Sequence, residues 1–162
     1  MKYTLKELIK KTVELQEELN DLIAQEQMYY SIEFFEGQNI PKSQYSFDKY
    51  TEQIESLIQK IRHYKMLISD ANYNVKTTYK DLTINECLIY LAQMSSYLHQ
   101  RLNTMKVYKQ EVSVLLEDGN TKVTRYLFNV EELKKTIKQT KKKINQLQDA
   151  IDLANLTHYI DV

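Results

Sequence analysis

The sequence predicts a mainly α protein: an antiparallel four-helix bundle, or coiled-coil hairpins, with one β-hairpin at about residues 111–127. Three observations predict it. Apolar residues recur in steps of three and four across four separate stretches, the heptad pattern of helices with one narrow apolar seam. Only two glycines and one proline interrupt 162 residues, so irregular loops are scarce. Between the last two helical stretches, β-branched residues flank Asp118-Gly119, the strongest short-range hairpin signal. A single helical domain, 1–162, with a hairpin insertion at 107–128 accommodates all three.

Thr4-Leu5-Lys6-Glu7 reads as a capping box that opens the first helix. Its seam is Leu5, Leu8, Leu15, Leu19 and Leu22, with Thr12 in the gap. The helix is expected to run on through Tyr29, Tyr30, Phe34 and Phe35 to a stop at Gly37, with Pro41 confirming the break. A second helix opens near Ser46 or Asp48. Phe47, Tyr50, Ile54, Leu57, Ile61, Tyr64 and Ile68 step along it, and it fades at Asn72. Residues 72–81 have no periodicity and read as a loop.

Thr83-Ile84-Asn85-Glu86 is a second capping box. The third helix carries Ile84, Cys87, Leu91, Met94, Leu98, Leu102 and Met105, and Leu88 and Ile89 widen its apolar face, the mark of a more buried helix. The hairpin follows. With Asp118-Gly119 as a two-residue turn, Val114 faces Val123. A lone two-stranded hairpin is marginal in water, so this one must lean on the helices or pair with another subunit. Asn129-Val130-Glu131-Glu132 caps the last helix, whose seam is Val130, Leu133, Ile137, Ile144, Leu147, Ile151 and Ala154, with Thr140 in the gap. Alternating helix directions would bring the 72–83 loop and the segment Asn155 to Val162 to one end.

Composition narrows the function. The 22 basic and 22 acidic residues balance, so nothing steers the chain globally toward nucleic acid or an anionic membrane. Lys134, Lys135, Lys138, Lys141, Lys142 and Lys143 form a local basic run. It reads as a solvated outer face pairing with Glu14, Glu17 and Glu18 rather than as a phosphate stripe. One cysteine excludes an intrachain disulfide, and with no apolar span and no signal peptide expected from the first residues, a cytoplasmic protein is expected. His63, His99 and His158 lack the helical partner a metal site would use. Cys87 falls on an apolar seam and reads as an inert buried thiol. Neither glycine stands in a phosphate-binding loop, and no Ser-His-Asp order has supporting context. No enzyme activity, metal or cofactor is expected.

The polar end carries the ligand expectation. Asn72, Tyr79, Asn155 and Thr157 supply amide and hydroxyl groups and an aromatic face, a mix suited to a polar organic ligand. Loop and cap chemistry is the competing account, and it already explains Thr83.

Val130, Glu132, Leu133, Leu147, Ile151 and the ending Ala154-Asn155-Leu156-Thr157 form a pattern with Asn72, Leu82-Thr83 and Arg125-Tyr126 upstream. Over most of the chain this pattern resembles the septicolysin-like family, small and largely uncharacterised bacterial helical proteins. Two departures stand out: Thr78-Tyr79-Lys80-Asp81 replaces the usual Asp-Gly-Arg before Leu-Thr, and Leu156 replaces an aromatic residue. The resemblance implies a helical, self-associating protein with no known reaction, and it picks out Asn72, Thr83, Asn155 and Thr157.

The leading expectation is a non-enzymatic homo-oligomer that binds a small polar ligand at one end. Val112, Val114 and Leu127 are the apolar residues expected to contribute to self-association. The alternatives are a sponge that sequesters a nucleotide-like signalling molecule, of the phage anti-defence type, and a purely structural coiled-coil scaffold. Membrane and nucleic acid are not expected partners.

Overall fold

A computed structural model describes all 162 residues, Met1–Val162. In chain order the elements are β1 (Lys2–Thr4), α1 (Leu5–Tyr29), α2 (Phe47–Asn74), α3 (Ile84–Tyr97) with a π-helical turn at Leu98–Leu102, β2 (Glu111–Leu115), β3 (Thr121–Arg125), α4 (Val130–Thr157) and β4 (Tyr159–Asp161). Helix accounts for 62% of the chain, and the fold is mainly α with a β-hairpin. The chain gathers into two compact units: Met1–Val75 with Asn155–Val162, and Lys76–Ala154.

In the first unit both halves of the Thr4 capping box form. The Thr4 hydroxyl accepts from Glu7 N–H at 3.2 Å, and Glu7 Oε2 accepts from Thr4 N–H at 2.8 Å. Leu5, Leu8, Thr12 and Leu19 are buried along α1, as the seam requires. The helix stops eight residues short of Gly37, correcting the expected run through Phe35. Beyond Leu22 no residue of α1 is buried, and Met28, Tyr30 and Phe35 are exposed. Aromatic and β-branched residues are indifferent helix formers, and without a packed face they do not extend the helix. Instead Tyr45 returns to α1, its hydroxyl donating to Glu26 Oε1 at 2.8 Å while its ring stacks on Tyr50.

Ser46 is the N-cap of α2, accepting from Lys49 N–H. Ile61, Tyr64 and Ala71 are buried on its inner face, whereas Phe47, the first seam residue, is 65% exposed. One groove is lined by Gln16 and Leu19 opposite Ile58–Ser69, and a second by Glu18 and Leu22 opposite Glu52–Leu57. Rising numbers on α1 therefore meet falling numbers on α2, and the two helices are antiparallel. The C-terminal end of α2 lies where α1 begins.

The sheet of β1 and β4 is absent from the sequence-based expectation. It pairs Lys2, Tyr3 and Thr4 with Asp161, Ile160 and Tyr159. Leu5 N–H donates to the His158 carbonyl at 2.9 Å, and Val162 N–H to the Met1 carbonyl at 2.9 Å. The two termini of the chain are thereby joined, with Ile160 buried beneath them.

In the second unit Thr83 caps α3 by the same reciprocal bonds, to Glu86 N–H at 3.1 Å and from Thr83 N–H to Glu86 Oε2 at 2.7 Å. The third helix is not one continuous α-helix. Met94, Leu98 and Leu102 are spaced by two successive steps of four, which in a straight α-helix drift about 80° off the seam. The π turn, closed by Asn103 N–H to the Leu98 carbonyl at 2.9 Å, takes back part of that drift. Leu98 and Leu102 are then buried with Leu133 and Ile137 of α4, against Met105 and Phe128. Leu88 and Ile89 are exposed, so the expectation of a widened buried face is corrected: the buried seam of α3 is Ile84 and Cys87 alone.

The hairpin pairs Val114 with Lys122 and Ser113 with Val123, one residue out of the expected register. The reason is the turn. Leu116 N–H donates to the Asn120 carbonyl and Gly119 N–H to the Leu116 carbonyl, while Gly119 takes a φ of +82°. These bonds make a three-residue loop with a left-handed glycine instead of a two-residue turn. Asp118 Oδ1 reinforces it by accepting from Asn120 N–H at 2.9 Å. Every residue of both strands is exposed. Gln110 holds the base, its amide donating to the carbonyls of Tyr126 and Phe128 and accepting from Val130 N–H. Asn129 caps α4, its Oδ1 accepting from Glu131 and Glu132 N–H.

The capping carboxylates predict an acid response. Hydrogen bonds from Thr4 and Thr83 hold the Glu7 and Glu86 carboxyls below their ordinary value of 4.5. A carboxyl whose pKa is lowered by folding adds stability above that value and loses it as pH falls through the lowered one. Urea midpoints should fall on going from neutral pH to below pH 4.5, and a Glu7→Gln, Glu86→Gln double variant should show a smaller fall. An equal fall in both proteins would show that the caps do not contribute to the acid response.

Candidate functional site

The candidate site in the first unit is built where α4 ends. Its last turn, Ala154-Asn155-Leu156-Thr157, has no glycine to break it. The chain passes straight into β4, and the bond from Leu5 N–H to the His158 carbonyl fixes that exit beside the start of α1. The antiparallel pairing of α1 and α2 brings Asn72 to the same end. Asn74 is engaged on its own helix, its amide donating to the Asp70 carbonyl at 3.0 Å and carboxylate at 2.8 Å. Asn72 is half-buried and Thr157 exposed.

Asn155 is the distinctive residue of this end. The residue is half-buried, but its side-chain oxygen Oδ1 is fully buried and accepts no hydrogen bond from the protein. An amide oxygen taken from water without a donor costs about 1–3 kcal/mol. Asn155 is also not the residue that stops α4, because the helix continues to Thr157. Its side chain therefore lacks the capping role that would account for an asparagine there.

Tyr79 belongs to the second unit. Lys76 bridges to Thr83, Thr77 N–H donates to the Leu82 carbonyl at 2.7 Å, and Leu82 N–H donates to the Tyr79 carbonyl at 3.0 Å. Between these bonds Lys80 and Asp81 both take left-handed φ angles, 50° and 57°. The Tyr79 ring meets Tyr90 edge-on at 6.3 Å, with Lys80 Nζ 5.5 Å from the Tyr79 ring and Lys143 Nζ 5.8 Å from that of Tyr90. Thr77 is buried, its hydroxyl 3.2 Å from Cys87 Sγ, and the thiol has no exposure.

Of the four residues picked from the sequence, the first unit thus holds Asn72, Asn155 and Thr157, and the second holds Tyr79 with companions Tyr90 and Lys143. Tyr90 and Lys143 carry no sequence signal, since one lies off the α3 seam and the other within a lysine run. Ion pairs form locally: Lys134 with Glu131 at 2.8 Å and Lys10 with Glu14 at 3.6 Å. This replaces the expected pairing of the lysine run with Glu14, Glu17 and Glu18. A groove of about 440 Å³ between α1 and α2, with Leu19, Ile58, Ile61 and Met66 among its lining residues, was also not legible from the sequence. No three His, Cys, Asp or Glu side chains gather into a group able to hold a metal ion. No helix is long and apolar enough to cross a membrane.

No protein-family model and no curated protein matches the sequence. Among solved structures, a functionally unknown conserved protein from Corynebacterium diphtheriae is similar over 99% of this chain and 100% of its own, with a TM-score of 0.58 and 14% sequence identity. At that identity the likeness establishes a shared fold and nothing about activity.

Proposed function

We propose that this chain is a non-enzymatic, self-associating binding protein of the cytoplasm that holds a small polar organic ligand at the end of α4. The observation that carries the reading is the buried, unpartnered Oδ1 of Asn155. A ligand N–H or O–H placed there recovers a hydrogen bond that folding left unmade. Asn72 adds a second amide at the same end, and Thr157 a hydroxyl. The resemblance to septicolysin-like proteins favours the same three residues. Nothing in the site supplies a nucleophile with its base, so the reading is retention of the ligand and not its turnover.

The alternative is a sponge that sequesters a nucleotide-like signalling molecule, held within the second unit and separate from the end of α4. The Tyr79 and Tyr90 rings with Lys80 and Lys143 favour it. Aromatic faces suit a base, and ammonium groups suit phosphate.

A thermal-shift panel of nucleoside phosphates and cyclic oligonucleotides tests both readings. A ligand present at a hundred times its Kd adds about 2.7 kcal/mol of apparent stability. The expected result is a concentration-dependent rise in Tm with one member of the panel, with that compound recovered unchanged. A flat response to nucleotides and to a wider panel of polar metabolites favours the scaffold reading instead.

A further inference from the structure

The β2–β3 hairpin has two edges, and they are not equivalent. The terminal rungs, Leu116 N–H to the Asn120 carbonyl and Tyr126 N–H to the Gln110 carbonyl, fix the phase of the ladder. Antiparallel pairs alternate between hydrogen-bonded and non-hydrogen-bonded. Val112 and Val114 therefore direct their backbone groups inward, to Thr124 and Lys122. Glu111, Ser113 and Leu115 direct theirs outward, to solvent.

β3 contains Lys122 and Arg125, the kind of charge that blunts a sheet edge. β2 contains neither lysine, arginine nor proline, and its one charge, Glu111, is paired with Arg125 across the hairpin. No residue of either strand is buried. Two strands alone are marginal in water, and three or more with an apolar face are stable.

We infer that β2 pairs antiparallel with β2 of a second copy about a two-fold axis at Ser113, making a four-stranded sheet in the order β3-β2-β2-β3. This inference rests on the self-association in the reading above and names its surface. The strand is complementary to itself under that operation. Ser113 exchanges both backbone bonds with its own copy, and Glu111 exchanges both with Leu115, so every outward group of β2 is paired. Val112 stands opposite the second copy's Val114 in a non-hydrogen-bonded pair, where side chains approach most closely. Four exposed valines then share one face. No like charges are opposed across the new pair, and the lysine-bearing β3 strands become the outer edges. Pairing β3 with β3 would gather four cations instead. Pairing β2 with β3 would leave a free edge on each side and propagate without closing.

Sedimentation equilibrium of the full chain tests this. The wild type should reach twice the 19.3 kDa of one chain. Ser113→Pro removes an N–H that the hairpin itself does not use, a position where an edge strand tolerates proline. It should weaken the dimer at least about ten-fold, because both central bonds are lost, with the circular dichroism unchanged. Ser113→Lys keeps the backbone intact and sets two like charges against each other on the axis, so it reports even if the proline variant fails to fold. A wild-type dimer unaffected by either substitution overturns this interface and leaves self-association standing. A wild type that stays monomeric at all accessible concentrations overturns both.

Discussion

Leu102→Ala should lower the unfolding free energy by about 2–5 kcal/mol, the usual range for truncating a buried leucine. Leu102 is 1% exposed and is enclosed by Leu98, Leu133 and Ile137, with Met105 and Phe128 closing the sides. It sits on the π turn, where the backbone is already committed to Leu98 through the Asn103 bond, so the surroundings have little freedom to collapse into the space. Native domains stand only about 5–15 kcal/mol above their unfolded states, so this one change removes a large share of the margin. Leu127→Ala is the matched control. Leu127 is 97% exposed and its truncation should stay within about 0.5 kcal/mol. Urea titrations of the two variants at equal slope decide it. Equal losses would mean that the packing of the π turn on α4 is not where the second unit is stabilised.

Asn155→Ala should weaken ligand binding by about ten-fold or more, the cost of deleting one buried hydrogen-bonding partner. The same substitution should leave the free protein as stable as the wild type or more so. It removes an acceptor that finds no donor in the chain, and it places a better helix former inside the last turn of α4. Opposite signs for binding and stability are the signature of a residue kept for a ligand. A helix-terminating asparagine would lose stability on substitution and leave binding untouched. The pair of measurements, a urea titration without ligand and a thermal-shift titration with the compound that raises Tm, separates the accounts. If Asn155→Ala binds as tightly as the wild type, the proposed site is wrong.

The capping boxes at Thr4 and Thr83 and the Asn129 cap were legible in the sequence because each is closed within three residues. The seams of α1 and α4 were legible because a 3.6-residue period repeats along one element, and Leu5, Leu8, Leu19, Leu147 and Ile151 are buried as that period requires. The sequence also singled out Asn155 by its polarity and place. Other features needed the third dimension. The end of α1 depends on whether a partner covers Tyr29 to Phe35, and none does. The hairpin register depends on which of two turns closes around Gly119, a choice that no buried face enforces. The β1–β4 sheet joins three residues at each end of the chain, strands too short to show alternation. The orphaned oxygen of Asn155 is the same kind of fact. Its polarity is a property of the residue, but its lack of a donor depends on every atom that folding brings near it. Local hydrogen bonds and periodic burial are written along one element and can be read there, whereas pairing, register and unmet donors arise only between segments distant in sequence.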